Sequence, residues 1–316
     1  MTLSRTLAAA VLALMLTGCG STGAAPVSAP QEDAATRTVT DPLGEVEIPV
    51  DPQRVVTLDT FAFEAAMALD LPVVGAVANG TMSDPDGIFA PLLAGIDTVG
   101  SQVGEPNLEA IAALRPDLIL GGFPNGSSLD DRLKAIAPTY LGIEFDSSQQ
   151  WKEVFTAIGD ALGRGEDARA LLADYEERAR QVTAEIPGAM DRSVATVRAY
   201  PDSVSVYAPD SFAGVVLTDA DVQVFVPAEG AEFAADLSLE RIPAITADVL
   251  IVWTANEEDP QAVIDGLRNS PLWSGLPSVQ AGRVSVGGGH WIGSGVYAAD
   301  AVLDDLQAAL QGTATP

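Results

Sequence analysis

The clearest periodicity lies near the middle of the chain. Residues 166–186 read EDARALLADYEERARQVTAEI, with apolar or small side chains at Ala168, Leu172, Tyr175, Ala179, Val182 and Ile186. Alternating steps of four and three residues give the helical period. Gly163 and Gly165 mark the start of this helix and Pro187-Gly188 its end. Glu166 and Asp167 fall in the first turn, where the helix dipole favours them. A helix of this length extends about 30 Å, the width of a small domain. It is either a spine joining two lobes or a surface helix of one large domain.

Strand and helix patterns alternate on both sides of it. Ahead of it, Val46–Val50 opens a turn-rich stretch. Arg54–Leu58, Pro72–Val77, Asp117–Leu120 and Tyr140–Ile143 read as strands. Helices are predicted over Phe61–Leu69, Asn107–Leu114 (with Asn107 as N-cap), Leu129–Ile136 and Gln149–Leu162. Beyond it, Val194–Arg198, Val204–Tyr207, Asp248–Trp253 and Arg283–Val286 have strand character. Ser211–Leu217, Ser238–Ile245, Pro260–Leu267 and Ala298–Leu310 read as helices. The alternation predicts an α/β protein with mainly parallel sheets.

Two segments echo each other across the central helix. Asn107-Leu108-Glu109 precedes Pro116-Asp117-Leu118-Ile119-Leu120, and Ser238-Leu239-Glu240 precedes Ala247-Asp248-Val249-Leu250-Ile251. Each unit opens a short helix with a capping residue, Leu and Glu, and an Asp then opens an apolar strand. One helix–strand unit used once in each half favours the two-lobe reading. By itself, a glutamate in the first helical turn needs no function beyond the dipole.

Composition narrows the function classes. The formal net charge is −28, which excludes nucleic acid as a partner, because phosphate recognition needs Lys and Arg. The acidic surface predicts a soluble monomer. With one cysteine (Cys19) and one histidine (His290), neither a disulfide nor a His/Cys metal site is expected. No phosphate-binding Gly-x-x-x-x-Gly-Lys loop and no Gly-x-Ser-x-Gly elbow is present, so an enzyme is not expected. At the N-terminus, Arg5 precedes an apolar run that ends in Leu16-Thr17-Gly18-Cys19. This resembles a bacterial lipoprotein signal, in which the cysteine is lipidated after cleavage. The expected division is a signal peptide over 1–18, a Gly/Ser/Pro-rich tether over 19–37, an N-terminal lobe over 38–163, a connecting helix over 164–187 and a C-terminal lobe over 188–312.

With these residues assembled, the chain resembles the substrate-binding lipoproteins of bacterial iron–siderophore and cobalamin ABC importers over roughly residues 38–312. The resemblance rests on Asp51-Pro52-Gln53-Arg54-Val55-Val56, on both helix–strand units, and on Ser270-Pro271-Leu272-Trp273 through Gly282-Arg283-Val284. It implies two α/β lobes joined by one long α-helix, with ligand held in the cleft between them. It also implies Glu109 and Glu240 as the carboxylates that dock onto a permease dimer, with Glu64 as a weaker N-lobe alternative. A lipid on Cys19 anchors such a receptor to the cell membrane, outside the cytoplasm. The expected ligand-binding residues are Arg198, Tyr200, Tyr207, Trp253, Trp291, Phe61 and Phe123. Asn79, Phe145 and His290 are further cleft candidates, and His290 is expected to line a loop rather than ligate iron. Fe3+ is expected as a siderophore chelate, not as an intrinsic cofactor. A tris-catecholate complex is strongly anionic and would need several basic residues, of which Arg198 is the best placed; hydroxamate or mixed chelates fit better. The alternatives are a receptor for cobalamin or haem and, more distantly, a lipid-anchored hydrolase.

Overall fold

The computed structural model describes residues 35–227, 231, 233–255 and 259–312. Cys19, the signal segment and most of the expected tether lie outside the described residues. The first element is a hairpin absent from the sequence reading, β1 (Thr36–Asp41) and β2 (Gly44–Pro49), paired antiparallel. It takes in Thr36 and Arg37, which fall within the expected tether. Asp41 holds the hairpin turn by accepting the Leu43 N–H at 2.8 Å.

Five strands then form a parallel sheet: β3 (Val55–Thr57), β4 (Val73–Val77), β5 (Asp97–Gly100), β6 (Leu118–Leu120) and β7 (Thr139–Tyr140), in the spatial order β5-β4-β3-β6-β7. Their connections carry α1 (Thr60–Ala68), α2 (Leu108–Leu114) and α3 (Ser127–Lys134). Asn107 caps α2 by accepting the Ala110 N–H at 3.0 Å, as its position predicts. Next come α4 (Trp151–Ala161) and the central helix α5 (Gly165–Ala184). All six periodic positions of the central stretch are buried, including Ile186 just past the helix end.

The second half contains β8 (Ser193–Ala199), β9 (Ser203–Tyr207), α6 (Phe212–Asp219), β10 (Gln223–Val224), β11 (Ala234–Ser238), β12 (Val249–Trp253), α7 (Pro260–Arg268), α8 (Pro277–Gln280), β13 (Val284–Val286) and α9 (Val296–Gln311). Its sheet runs β11-β9-β8-β12-β13, with β10 beside the start of β8. The β8–β10, β8–β12 and β12–β13 pairs are parallel, whereas β8–β9 and β9–β11 are antiparallel. The sheet is therefore more mixed than the alternation of elements suggests. The segment expected as a helix from Ser238 is a 3₁₀ turn, Leu239–Ala244, with Pro243 inside it. Ser238 ends β11 and makes no side-chain cap.

The internal echo has a physical basis. Asp117 accepts the backbone N–H groups of Gln53 and Arg54 at 2.7 and 2.9 Å, fixing the start of β3 beside β6. Asp248 does the same for Ser193 at the start of β8, at 2.9 Å. One apolar core extends from Ile48 to Leu310 and takes in side chains of α1, α4, α5, α6, α9 and β12. Smaller cores cover the outer face of each sheet, around Ile111 and Ile119 in the first half and Ile242 and Val252 in the second. Polar contacts also cross the molecule. Lys152 on α4 pairs with Asp219 on α6 at 2.9 Å, and the Tyr175 hydroxyl on α5 donates to the same carboxylate at 2.8 Å.

Candidate functional site

Asp59 and Gly122 organise the first wall of the site. The Asp59 carboxylate caps α1 by accepting the Ala62 N–H at 2.9 Å and ties down the loop after β6 by accepting the Gly122 N–H at 2.8 Å. Burial raises its pKa from 3.8 to about 6, against the lowering effect of these backbone donors. Gly142 has a φ of +57°, and a Cβ there would meet the Gly122 carbonyl oxygen at 2.0 Å, so only glycine lets the two loops approach. The result is a cluster of three phenylalanines. Phe61 meets Phe145 edge-on at 5.0 Å and Phe123 at 5.9 Å, while Phe123 and Phe145 stack at 4.6 Å.

The opposite wall comes from the second sheet and the segment before α9. Tyr207 ends β9, lies 5.4 Å from Phe233 and is backed by Trp253 at 5.1 Å. Burial is the largest effect on the Tyr207 hydroxyl and raises its pKa, while Arg198 acts in the opposite sense. Between the walls lies a cavity of about 510 Å³. It is lined by Phe61 and residues 145–148 from the first half, and by Tyr207, Phe212, Phe233 and residues 291–294 from the second. Its size and its aromatic lining suit a small-molecule ligand.

Three of the expected ligand-binding residues, Phe61, Tyr207 and Trp291, line this cavity. Trp291 lies at its base with no exposed surface, its indole N–H held by Asp305 at 2.7 Å. The other four stand behind the lining. Phe123 supports Phe61 and Phe145. Trp253 is fully buried and donates to the Thr196 hydroxyl at 2.9 Å, so it is core. Arg198 is sandwiched between Tyr200 and Trp253, at 4.8 and 5.7 Å from their rings, and donates to the Ala255 carbonyl at 2.6 Å. Arg198 is in register with Ser205 on β9 and with Trp253 on β12, so it shares a sheet face with Tyr207 and stands beside it, half-buried. His290 hydrogen-bonds Asp305 at 2.8 Å, in keeping with a loop role. Asn79 closes a turn by accepting the Met82 N–H at 3.0 Å.

Phe212, Phe233 and the Asp146-Ser147-Ser148 segment are lining residues that the sequence reading did not select. Only the last carries a local signal: Gln150, three residues after Ser147, turns its side chain back to accept the Ser147 N–H at the start of a helical turn. Glu64 requires a correction. Its side chain is completely buried, so it is no docking residue. It reaches from α1 to the start of α9 and accepts the N–H groups of Ser294 and Ala298 at 3.2 and 2.9 Å. Burial raises its pKa from 4.5 to about 7, despite those donors. Glu109 and Glu240 are exposed, as are Arg115 and Arg241 beside them.

Residues 55–289 match the family described as Periplasmic binding protein. The chain is 29% identical over 307 residues to the probable siderophore-binding lipoprotein YfiY of Bacillus subtilis, covering 93% of each protein. Among solved structures, it resembles the siderophore periplasmic binding protein from the fuscachelin gene cluster of Thermobifida fusca, with a TM-score of 0.70 and 28% identity. That match covers 84% of this chain and 98% of the other. Staphylococcus aureus SirA, solved in complex with staphyloferrin B, matches with a TM-score of 0.71 and 26% identity, over 87% of this chain and 99% of the other.

Proposed function

The chain belongs to the periplasmic binding protein family, and from that premise we propose that it takes a ferric siderophore of hydroxamate or mixed type into the cavity between its two sheets. It is an extracytoplasmic receptor that delivers its ligand to an ABC importer. Its relatives are binding proteins, not enzymes. The cavity carries the choice of ligand class: its walls are aromatic, and no lysine or arginine is among the described residues that line it. Three hydroxamates neutralise Fe3+, so their complex can rest against aromatic rings without a bed of cations, whereas a tris-catecholate complex keeps a large negative charge. Phe61, Phe145, Tyr207 and Phe233 would contact the chelate. Arg198 and Tyr200 would position the Tyr207 hydroxyl, and Fe3+ would arrive within the chelator's own donor set.

The lobes on this reading are residues 38–163 and 188–312, held by the helix over 164–187. Glu109 and Glu240, one exposed carboxylate on each lobe, would meet the permease. They fix orientation more than affinity, since an exposed ion pair contributes only about 0–1 kcal/mol. Lipidation of Cys19 would attach an otherwise monomeric receptor to the membrane. Among the described residues, no helix is long and apolar enough to cross one.

Titration with a ferric trihydroxamate should quench tryptophan emission, with haem and cobalamin leaving it unchanged. Quenching by haem or cobalamin with no response to any ferric chelate would overturn the reading.

A further inference from the structure

The charge of the cavity goes beyond the ligand class proposed above. Every lysine and arginine except Arg5 lies among the described residues, and none lines the cavity. Arg198, beside Tyr207, donates to the Ala255 carbonyl, is half-buried and is not itself among the lining residues, although its guanidinium acts on the Tyr207 hydroxyl. Lys152, close by on α4, is committed to Asp219 and Glu176. The one carboxylate among the described lining residues is Asp146. Its place is fixed by its own backbone. The Gln150 side-chain oxygen accepts the Asp146 and Ser147 N–H groups at 2.7 and 3.2 Å, locking the turn between β7 and α4. The Asp146 carboxylate makes no ion pair among the described residues, and the side chain is exposed at the cavity.

We infer that Asp146 is a charge-selecting residue: it favours a ferric chelate carrying a free ammonium group and disfavours anionic chelates. The inference rests on the siderophore reading above and adds the sign of the ligand's charge. The aromatic walls hold the neutral metal centre. Asp146, exposed where it lines the cavity, takes the ammonium tail. The pairing stays partly hydrated, because Asp146 is exposed, so the discrimination is modest. An anionic chelate meets the same carboxylate as a repulsion, with no lining cation to offset it.

The test compares wild type with Asp146→Asn, an isosteric change outside the core, by fluorescence titration at low and high salt. The probes are three ferric chelates: a linear trihydroxamate with a terminal ammonium, the same molecule N-acetylated, and a tris-catecholate. Wild type should bind the ammonium form about 5-fold more tightly than the acetylated form. Salt should reduce that ratio, and Asp146→Asn should bring it to about one. The same substitution should strengthen tris-catecholate binding, or reveal it. An equal affinity of wild type for both hydroxamates, or a ratio unchanged in the variant, would overturn the inference while leaving the siderophore reading intact. If neither hydroxamate binds, the hydroxamate reading fails, and the tris-catecholate arm decides the role of Asp146. A gain in the variant supports it and no change refutes it.

Discussion

Replacing Glu64 with glutamine should change the pH dependence of stability more than stability itself. The carboxyl group is enclosed between α1 and the start of α9, where backbone N–H groups of Ser294, Tyr297 and Ala298 face it. Its pKa rises from 4.5 to about 7 because burial disfavours the anion. In the unfolded chain the group loses its proton near 4.5, whereas in the folded chain it keeps it to about 7. Between those values the folded state binds more protons. Its contribution is therefore present at acid pH, declines as pH rises through this window, and is lost above it. The gap corresponds to about 3 kcal/mol over the full window, and about 2–3 kcal/mol of it falls between about pH 5 and about pH 8. Glutamine does not titrate, and it occupies the same space with one acceptor oxygen. Urea denaturation of both proteins at those two pH values isolates the group, because shifts at Asp59 and elsewhere cancel in the difference. The variant should gain about 2–3 kcal/mol on wild type between acid and alkaline conditions. A difference that stays constant, or moves the other way, would refute the claim that a buried, protonatable carboxyl joins α1 to α9.

Two further outcomes follow from the same structure. Glu109→Ala combined with Glu240→Ala should impair chelate uptake by cells while leaving the dissociation constant in solution unchanged; a loss of binding as well would place these side chains in a structural role or in the cleft. Asp117→Ala removes the acceptor of two backbone N–H groups at the start of β3 and should cost about 1–2 kcal/mol in denaturant stability. Asp248→Ala, its counterpart, should cost a similar amount, and wild-type-like midpoints for both would show that these bonds exchange freely with water.

Most of the scaffold can be read in the sequence because it is local. The six buried positions of α5 share one period. The Asp117 and Asp248 units repeat because each pins the first residues of a neighbouring parallel strand. The strand β11 was not legible: Ala-Ala-Asp-Leu-Ser has little strand character, and it pairs with β9 through backbone bonds that composition does not encode. The cavity was only partly legible, since its lining comes from five separate stretches of chain. Phe61, Tyr207 and Trp291 stand at element ends and could be picked out one by one. Phe212 and Phe233 look like ordinary core aromatics until the two walls are set face to face. Trp253 and Arg198 share a sheet face with Tyr207, but Trp253 is completely covered and Arg198 is held against the Tyr200 and Trp253 rings, and residue type alone does not reveal that. Glu64 left a faint trace, a lone acid in the apolar run Thr-Phe-Ala-Phe-Glu-Ala-Ala-Met-Ala, yet its partners lie 230 and 234 residues further on.

That separation governs the order in which the molecule can be finished. A ribosome delivers α1 early and α9 last, so through nearly all of synthesis Glu64 has no backbone donors to receive it. The apolar side of α1 likewise lacks the Val302, Leu303 and Leu306 flank of the shared core until the final helix emerges. Contacts so distant along the chain close slowly, because the loop entropy is lost before any burial offsets it. The sheet of the first half has its own core around Ile111 and Ile119, but the inner side of α1 is completed only by α9. For a protein that works outside the cytoplasm, the pairing of Glu64 with the start of α9 is a contact that forms only once both ends of the fold are present together.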